Sequence, residues 1–132
     1  MINKIYALLI IIFFVSCGDE PLKKATSAQE AGTEFIRASL DGDYRKAEFY
    51  LLKDDANQRL FEKQRADYNL LSAEAKRAYR EAHIRPVSIQ PVDSTHTRYV
   101  YWHTSNPNDT FSLSIVKVAD EWLVDLKSII DQ

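Results

Sequence analysis

The sequence predicts an α+β domain, with helices in the N-terminal half packed on one face of a four-stranded antiparallel sheet. Two features along the chain predict it. From Ala28 to Ala82 apolar residues recur at helical spacing, and after Pro86 they alternate with a period of two. The length of 132 residues holds one domain with a core of its own, so neither a metal nor a disulfide is needed as a staple.

Two overlapping capping boxes announce the first helix, Thr26 with Gln29 and Ser27 with Glu30. Ala28, Ala31, Phe35 and Ala38 mark its inner face, widened by Ile36 and Leu40. Asp41-Gly42 ends it, because glycine tolerates the left-handed position just past a helix. Asp43 caps a short second helix in which Tyr44, Ala47 and Leu51 share a side. Asp54-Asp55 opens a third, with Leu60, Phe61, Gln64, Tyr68 and Leu71 on one face. Ser72 caps a fourth stretch running to Ala82, with Ala75, Ala78, Tyr79 and Ala82 turned inward. Pro86, which has no N–H to give a helix, closes the helical half.

Four strands follow: one around Val87 and Ile89, then 98–104, 110–118 and 122–130. A tight turn at Asp120-Glu121 sets the last hairpin, placing Ala119 opposite Trp122, Lys117 opposite Val124, Ile115 opposite Leu126 and Phe111 opposite Ile130. This register gathers the apolar side chains on one face and puts Ser112, Ser114, Val116, Asp125 and Lys127 on the other. The turn at 105–109 is loose and fixes no register. Either Tyr99, Tyr101 and His103 face the core, or Val100 and Trp102 do.

The start of the chain has a different character. Thirteen of the first sixteen residues are hydrophobic, and Lys4 is their only charge. The apolar run Ile5 to Val15 falls short of the about 20 residues a bilayer span needs, and it lacks polar positions at helical spacing. It reads as an export signal with Lys4 as its basic start. Phe14-Val15-Ser16-Cys17-Gly18 then resembles the lipobox of bacterial lipoproteins: a bulky apolar residue, a β-branched one and a small one before the cysteine. The resemblance implies cleavage between Ser16 and Cys17, a diacylglyceryl thioether on Cys17, and usually an amide-linked acyl chain. Two or three such chains hold a protein at a membrane where one does not. The implied organisation is a signal peptide over 1–16, a lipidated N-terminus and polar tether over 17–25, and the folded domain over 26–132. The implied location is the cell envelope, at the outer membrane where the organism has one. Asp19 and Glu20, just after the cysteine, resemble the surface-export signal of some Bacteroidota lipoproteins and read equally as a solvated linker.

A second resemblance lies in the domain. Ser27 to Ile36, followed by Leu40-Asp41-Gly42-Asp43-Tyr44 and Ala47, resembles the opening of the nuclear-transport-factor-2-like superfamily. There a first helix ends in a small-x-Gly-Asp stretch that leads into the second. Glu121-Trp122-Leu123-Val124-Asp125-Leu126 resembles the superfamily's last strand. With the lipobox, the chain is similar to small bacterial lipoproteins carrying an uncharacterised domain of this cystatin-like type. The resemblance implies a cone-shaped roll, a fold that serves isomerases, dehydratases and hydrolases as well as non-catalytic binding domains. It also implies that two copies can pair through the sheet.

An enzyme of this fold would place an Asp/His or Asp/Tyr pair inside the cone, where burial tunes a proton-transfer group. Tyr68, Tyr99, Tyr101 and His103 are the candidates to line such a pocket, with Asp125 as a candidate acid. The residues themselves favour plainer roles. His103, at a strand end beside a polar loop, reads as solvated or capping. Asp125 reads as paired with Lys127 or water, and Tyr44, Tyr68 and Tyr79 as core fillers.

Charge and composition exclude several classes. With 17 basic and 19 acidic residues the net charge is −2, and loss of Lys4 makes the mature chain more acidic. No concentrated basic excess marks a nucleic-acid binder. Lys76, Arg77, Arg80 and Arg85 are interleaved with Glu74 and Glu81, with Arg77 and Glu81 at i,i+4, which describes a solvated helix face. One cysteine makes neither an internal disulfide nor a Cys-based zinc site, and His83, His96 and His103 lack ligand spacing. No metal and no cofactor is expected. P-loop, nucleophile-elbow and dinucleotide motifs are absent from the sequence. The expected function is that of a membrane-anchored envelope lipoprotein, non-enzymatic, whose domain binds a small ligand or an envelope protein. The alternatives are a small-molecule enzyme using a polar group in the cone, and a spacer that presents its sheet to a partner or a second copy.

Overall fold

In the computed structural model, residues 21–129 are described. The expected signal peptide, Ser16, Cys17, the first part of the tether and Ile130 lie outside them. Helices α1 (Ala28–Asp41), α2 (Tyr44–Phe49), α3 (Asp55–Asn69) and α4 (Ala73–Glu81) precede strands β1 (Ile84–Pro91), β2 (His96–His103), β3 (Asn106–Val118) and β4 (Glu121–Asp125), and a 3-10 turn follows at Lys127–Ile129. The strands pair antiparallel in chain order, giving the α+β arrangement the sequence predicts.

Each helix begins at the side chain that signals it. Ser27 Oγ accepts the Glu30 N–H at 3.1 Å, and Asp43, Asp54 and Ser72 accept from Lys46, Asn57 and Ala75. The Glu30 carboxylate reaches back past Ser27 to take the Thr26 N–H at 2.8 Å and the Thr26 hydroxyl at 2.6 Å. Thr26 therefore pairs with Glu30, not with Gln29. Gly42 ends α1 with φ at 73°, and a Cβ there would meet the Tyr68 hydroxyl oxygen at 2.6 Å. The residue serves both the turn and the close approach of α3.

Helix α1 lies across all four strands. Ala28, Ala31, Phe35, Ile36, Ala38 and Leu40 are buried, as expected, and on the sheet Tyr99, Leu113, Ile115 and Val124 are buried in the same core. Gly32 allows the close contact: a Cβ would lie 2.8 Å from both Ile115 Cδ1 and Tyr99 Cδ2. Tyr99 is fully enclosed, its hydroxyl 2.9 Å from Thr33 Oγ1. This settles the register left open for β2: Thr97, Tyr99, Tyr101 and His103 face the helices, and Val100 and Trp102 lie on the other side.

Several sequence expectations are corrected. Pro86 does not close the helical half but sits inside β1, opposite Tyr101. β1 is an edge strand, where a missing N–H is tolerated, and the register slips between Pro86 and Ser88 so that Val87 bulges into solvent. Of α4 nothing is buried; Ala78 is exposed and only Tyr79 and the following Ala82 pack inward. The β2–β3 turn is Thr104-Ser105, with His103 opposite Asn106, and residues 107–109 form a bulge inside β3.

The last hairpin turns at Ala119-Asp120, both with positive φ (49° and 61°), the two-residue geometry whose twist suits a hairpin. Lys117 then faces Trp122 and Ile115 faces Val124, a slip of two residues from the expected pairing. Because side chains alternate with a period of two, that slip leaves the apolar face unchanged. β4 stops at Asp125, short of the expected strand end, because the Asn57 side chain takes the N–H groups of Leu126 and Lys127. The outer edge of β4 is covered by the segment after α2: Val124 N–H donates to Tyr50 at 2.7 Å, and Leu52 N–H to Val124 at 2.9 Å. Part of the expected tether also belongs to the domain, since the Tyr50 hydroxyl donates to the Lys23 carbonyl and Ala25 is buried.

Candidate functional site

Helix α3 is held to the core mainly by its first half, where Asn57 and Phe61 are buried. Beyond Phe61, the side chains of Gln64, Tyr68 and Leu71 are only half-buried. They stand over a cleft of about 440 Å³ enclosed by α1, α3, α4 and the inner face of the sheet. That volume lies within the usual range of small-molecule sites.

A continuous chain of rings builds the wall. Phe35, Phe61, Tyr44, Tyr68, Tyr79, His103, Phe111, Tyr101 and Tyr99 follow one another with centroids 5.2–6.5 Å apart. Most contacts are tilted or edge-to-face, which aromatic quadrupoles favour. All but Phe61 and Tyr99 line the cleft.

Burial acts on three polar groups in this wall. His103 is buried rather than solvated: its ring lies flat on Phe111, edge-on to Tyr79, with Nδ1 2.6 Å from Ser105 Oγ. Burial, with the Arg37 charge adding to it, pushes its pKa below the ordinary imidazole value and keeps the ring uncharged at neutral pH. Burial, with Tyr99 adding to it, raises the Tyr101 phenol, and burial and the neighbouring Tyr68 push Tyr44 up to about 12. Charge lies at the rim: on the exposed flank of α3 Lys63 and Asp67 pair at 2.8 Å, and from α4 Lys76 Nζ stands 5.5 Å from the centroid of the Tyr68 ring. Among the described residues, Asp67 is the only acid lining the cleft. Among the described residues, the cleft thus assembles no buried acid–base pair and offers a flat, apolar surface with a few neutral hydrogen-bonding groups.

Arg37 braces the helix behind Tyr79. From α1 it donates to the carbonyls of Tyr79, Arg80 and Ala82 at 3.0, 3.1 and 2.6 Å, and to the Asp41 carboxylate at 2.8 and 3.1 Å. These carbonyls close the end of α4, that of Tyr79 also accepting the Ala82 N–H at 3.2 Å, and a cation there meets the favourable end of the helix dipole. One side chain therefore fixes α4, and with it Tyr79, at the cleft wall.

Of the residues singled out by sequence, Tyr68, Tyr101 and His103 meet at the cleft. Tyr99 does not line it; that side chain lies beneath, bonded to Thr33. Asp125 belongs to a separate polar cluster that links α3 to the end of β4. It accepts from Asn57 Nδ2 at 3.0 Å, Ser128 Oγ at 2.7 Å and Lys127 Nζ at 3.1 Å, while Lys127 also reaches Asp54 at 2.8 Å. Burial alone would raise the Asp125 carboxyl, but the bonds from Ser128, Asn57 and Lys127 outweigh it and hold it below its ordinary value. The pairing of Asp125 with Lys127 is as expected; the burial is not. Of the basic cluster Lys76, Arg77, Arg80 and Arg85, the three arginines are exposed, in keeping with a solvated face, whereas Lys76 is half-buried with its Nζ over the Tyr68 ring.

Sequence reasoning missed Ser39, Phe111 as a cleft residue, and Arg37. Ser39 carries a visible signal, a hydroxyl one turn after Phe35 beside an apolar stripe. Arg37 shows only its i,i+4 partner Asp41, since the carbonyls it holds lie more than 40 residues away in sequence.

The chain matches no protein-family model, no curated protein and no solved structure. Among the described residues, no helix is long and apolar enough to cross a membrane, and no group of three or more His, Cys, Asp or Glu could hold a metal ion.

Proposed function

We propose that this protein is a lipid-anchored lipoprotein of the cell envelope whose domain, a roll of the cystatin-like type, binds a small ligand in the ring-walled cleft without transforming it. The cleft carries the reading. It joins a volume of about 440 Å³ to an aromatic wall and neutral polar groups, the composition of a binding pocket. The acid that lines it, Asp67, is tied to Lys63 at the rim. The roll is supported by the helices being followed by a four-stranded antiparallel meander with α1 laid across it.

N-phenyl-1-naphthylamine, an uncharged dye that brightens in apolar surroundings, tests the cleft. It should bind saturably, one per chain. Gln64→Trp should cut its affinity at least tenfold, because residue 64 overhangs the opening and is only half-buried. Undiminished binding to a folded Gln64→Trp would sink the reading. The anchor rests on the sequence at Ser16-Cys17. Metabolic labelling with a clickable fatty acid should tag the wild type and not Cys17→Ala, and equal labelling of the two would end it.

A further inference from the structure

Among the described residues, Ser39 Oγ is a buried side-chain polar atom with no hydrogen-bond partner in the protein. Ser39 as a residue lines the cleft, on the α1 side that carries Phe35, Ile36 and Leu40. An unpaired hydroxyl inside a helix is costly in two ways: it loses its water, and serine is a weaker helix former than alanine. Nothing in the fold offsets that cost, whereas the buried polar side chain of Asn57 is bonded on both of its ends. The charges around the cleft restrict what could pair with it. Lys63 is matched by Asp67 at the rim, Lys76 is taken by the Tyr68 ring and the Asn69 carbonyl, His103 is held neutral and Arg37 is engaged by carbonyls and Asp41. No cation is left over among the lining residues to receive an anionic group.

We infer that the cleft selects a flat, uncharged, largely apolar molecule carrying one hydroxyl or carbonyl group, and that this group pairs with Ser39 Oγ. The inference rests on reading the cleft as a ligand site and adds the class of ligand and its polar contact. The rings supply stacking and edge contacts for a planar body, and Ser39 supplies the single directional bond that sets its orientation.

Three probes of one shape test it by equilibrium dialysis against the full chain in lipid nanodiscs, with empty nanodiscs as the blank: naphthalene, 2-naphthol and 2-naphthoate. The wild type should hold 2-naphthol about fivefold to tenfold more tightly than naphthalene, and more tightly than the charged 2-naphthoate. In Ser39→Ala the preference for 2-naphthol over naphthalene should fall to about one, with naphthalene affinity kept within about twofold. The same variant should melt about 3 °C higher, since it removes an unpaired hydroxyl and adds the better helix former. Naphthalene binding with no gain from the hydroxyl overturns this inference and leaves the ligand reading standing. An unchanged preference in Ser39→Ala, tighter binding of 2-naphthoate than of 2-naphthol, or a lower melting temperature also overturns it. Failure of all three probes to bind the wild type overturns the inference together with the ligand reading.

Discussion

Asn57→Ala is expected to destabilise the domain by about 3–4 kcal/mol, a fall in melting temperature of about 15 °C. The Asn57 side chain is fully buried and fully used. Its oxygen accepts the Leu126 N–H at 2.7 Å and the Lys127 N–H at 3.2 Å, and its nitrogen donates to Asp125 at 3.0 Å and Asp54 at 3.3 Å. Truncation leaves a backbone N–H unsatisfied beside a cavity and takes a donor from a buried carboxylate, and those penalties fall together. Urea denaturation measures the loss, and one below about 1 kcal/mol would contradict the role given to Asn57.

Asn57→Asp adds a check on sign. Asp54 and Asp125 both sit below their ordinary values, Asp54 chiefly through its bond to Lys127. In the wild type the stability they contribute is present above the unfolded carboxyl value of about 3.9 and is lost as pH falls through the lower folded values. A third carboxylate beside these two has its pKa raised by like charge. Its penalty is present at neutral pH and is relieved as pH falls through that raised value. Asn57→Asp should therefore gain stability on acidification from pH 7 to about 5, where the wild-type carboxylates contribute no change.

Arg37→Ala is expected to cost about 2–3 kcal/mol and to weaken dye binding as well. Three carbonyls at the end of α4 lose a charged donor, and α4 has no buried residue of its own to hold it in place. Tyr79, which touches both Tyr68 and His103, then leaves the wall. Arg37→Lys should recover little, because a single ammonium cannot serve three carbonyls and Asp41 in the fork geometry of a guanidinium. Urea denaturation and dye titration on both variants check this. A stable Arg37→Ala with wild-type dye affinity would show that α4 is held by something else.

The helices could be read from the sequence because their signals are local. Ser27, Asp43, Asp54 and Ser72 each cap within three residues, and Gly42 needs only its own backbone to end α1. The face of the last hairpin was also readable, since a period of two survives a slip of two residues. What failed depended on distant parts of the chain. Pro86 breaks a helix in isolation but fits an edge strand, and β1 is an edge only because of the sheet order. The end of β4 is set by Asn57, almost seventy residues earlier. His103 looked solvated beside its polar loop, yet Tyr79 and Phe111 enclose it from α4 and β3. The cleft shares that origin: Tyr68, Tyr101 and His103 were visible as aromatic and polar residues, but the wall exists only once α3 and α4 are laid over the sheet.

The location of a bound probe tests the cleft most directly. Intermolecular nuclear Overhauser contacts from N-phenyl-1-naphthylamine to the protein's aromatic protons distinguish the two faces of the sheet. The account predicts contacts to Tyr101, Phe111, Tyr79 and Tyr68 on the inner side. Contacts confined to Trp102 and Val100 on the outer side would contradict it.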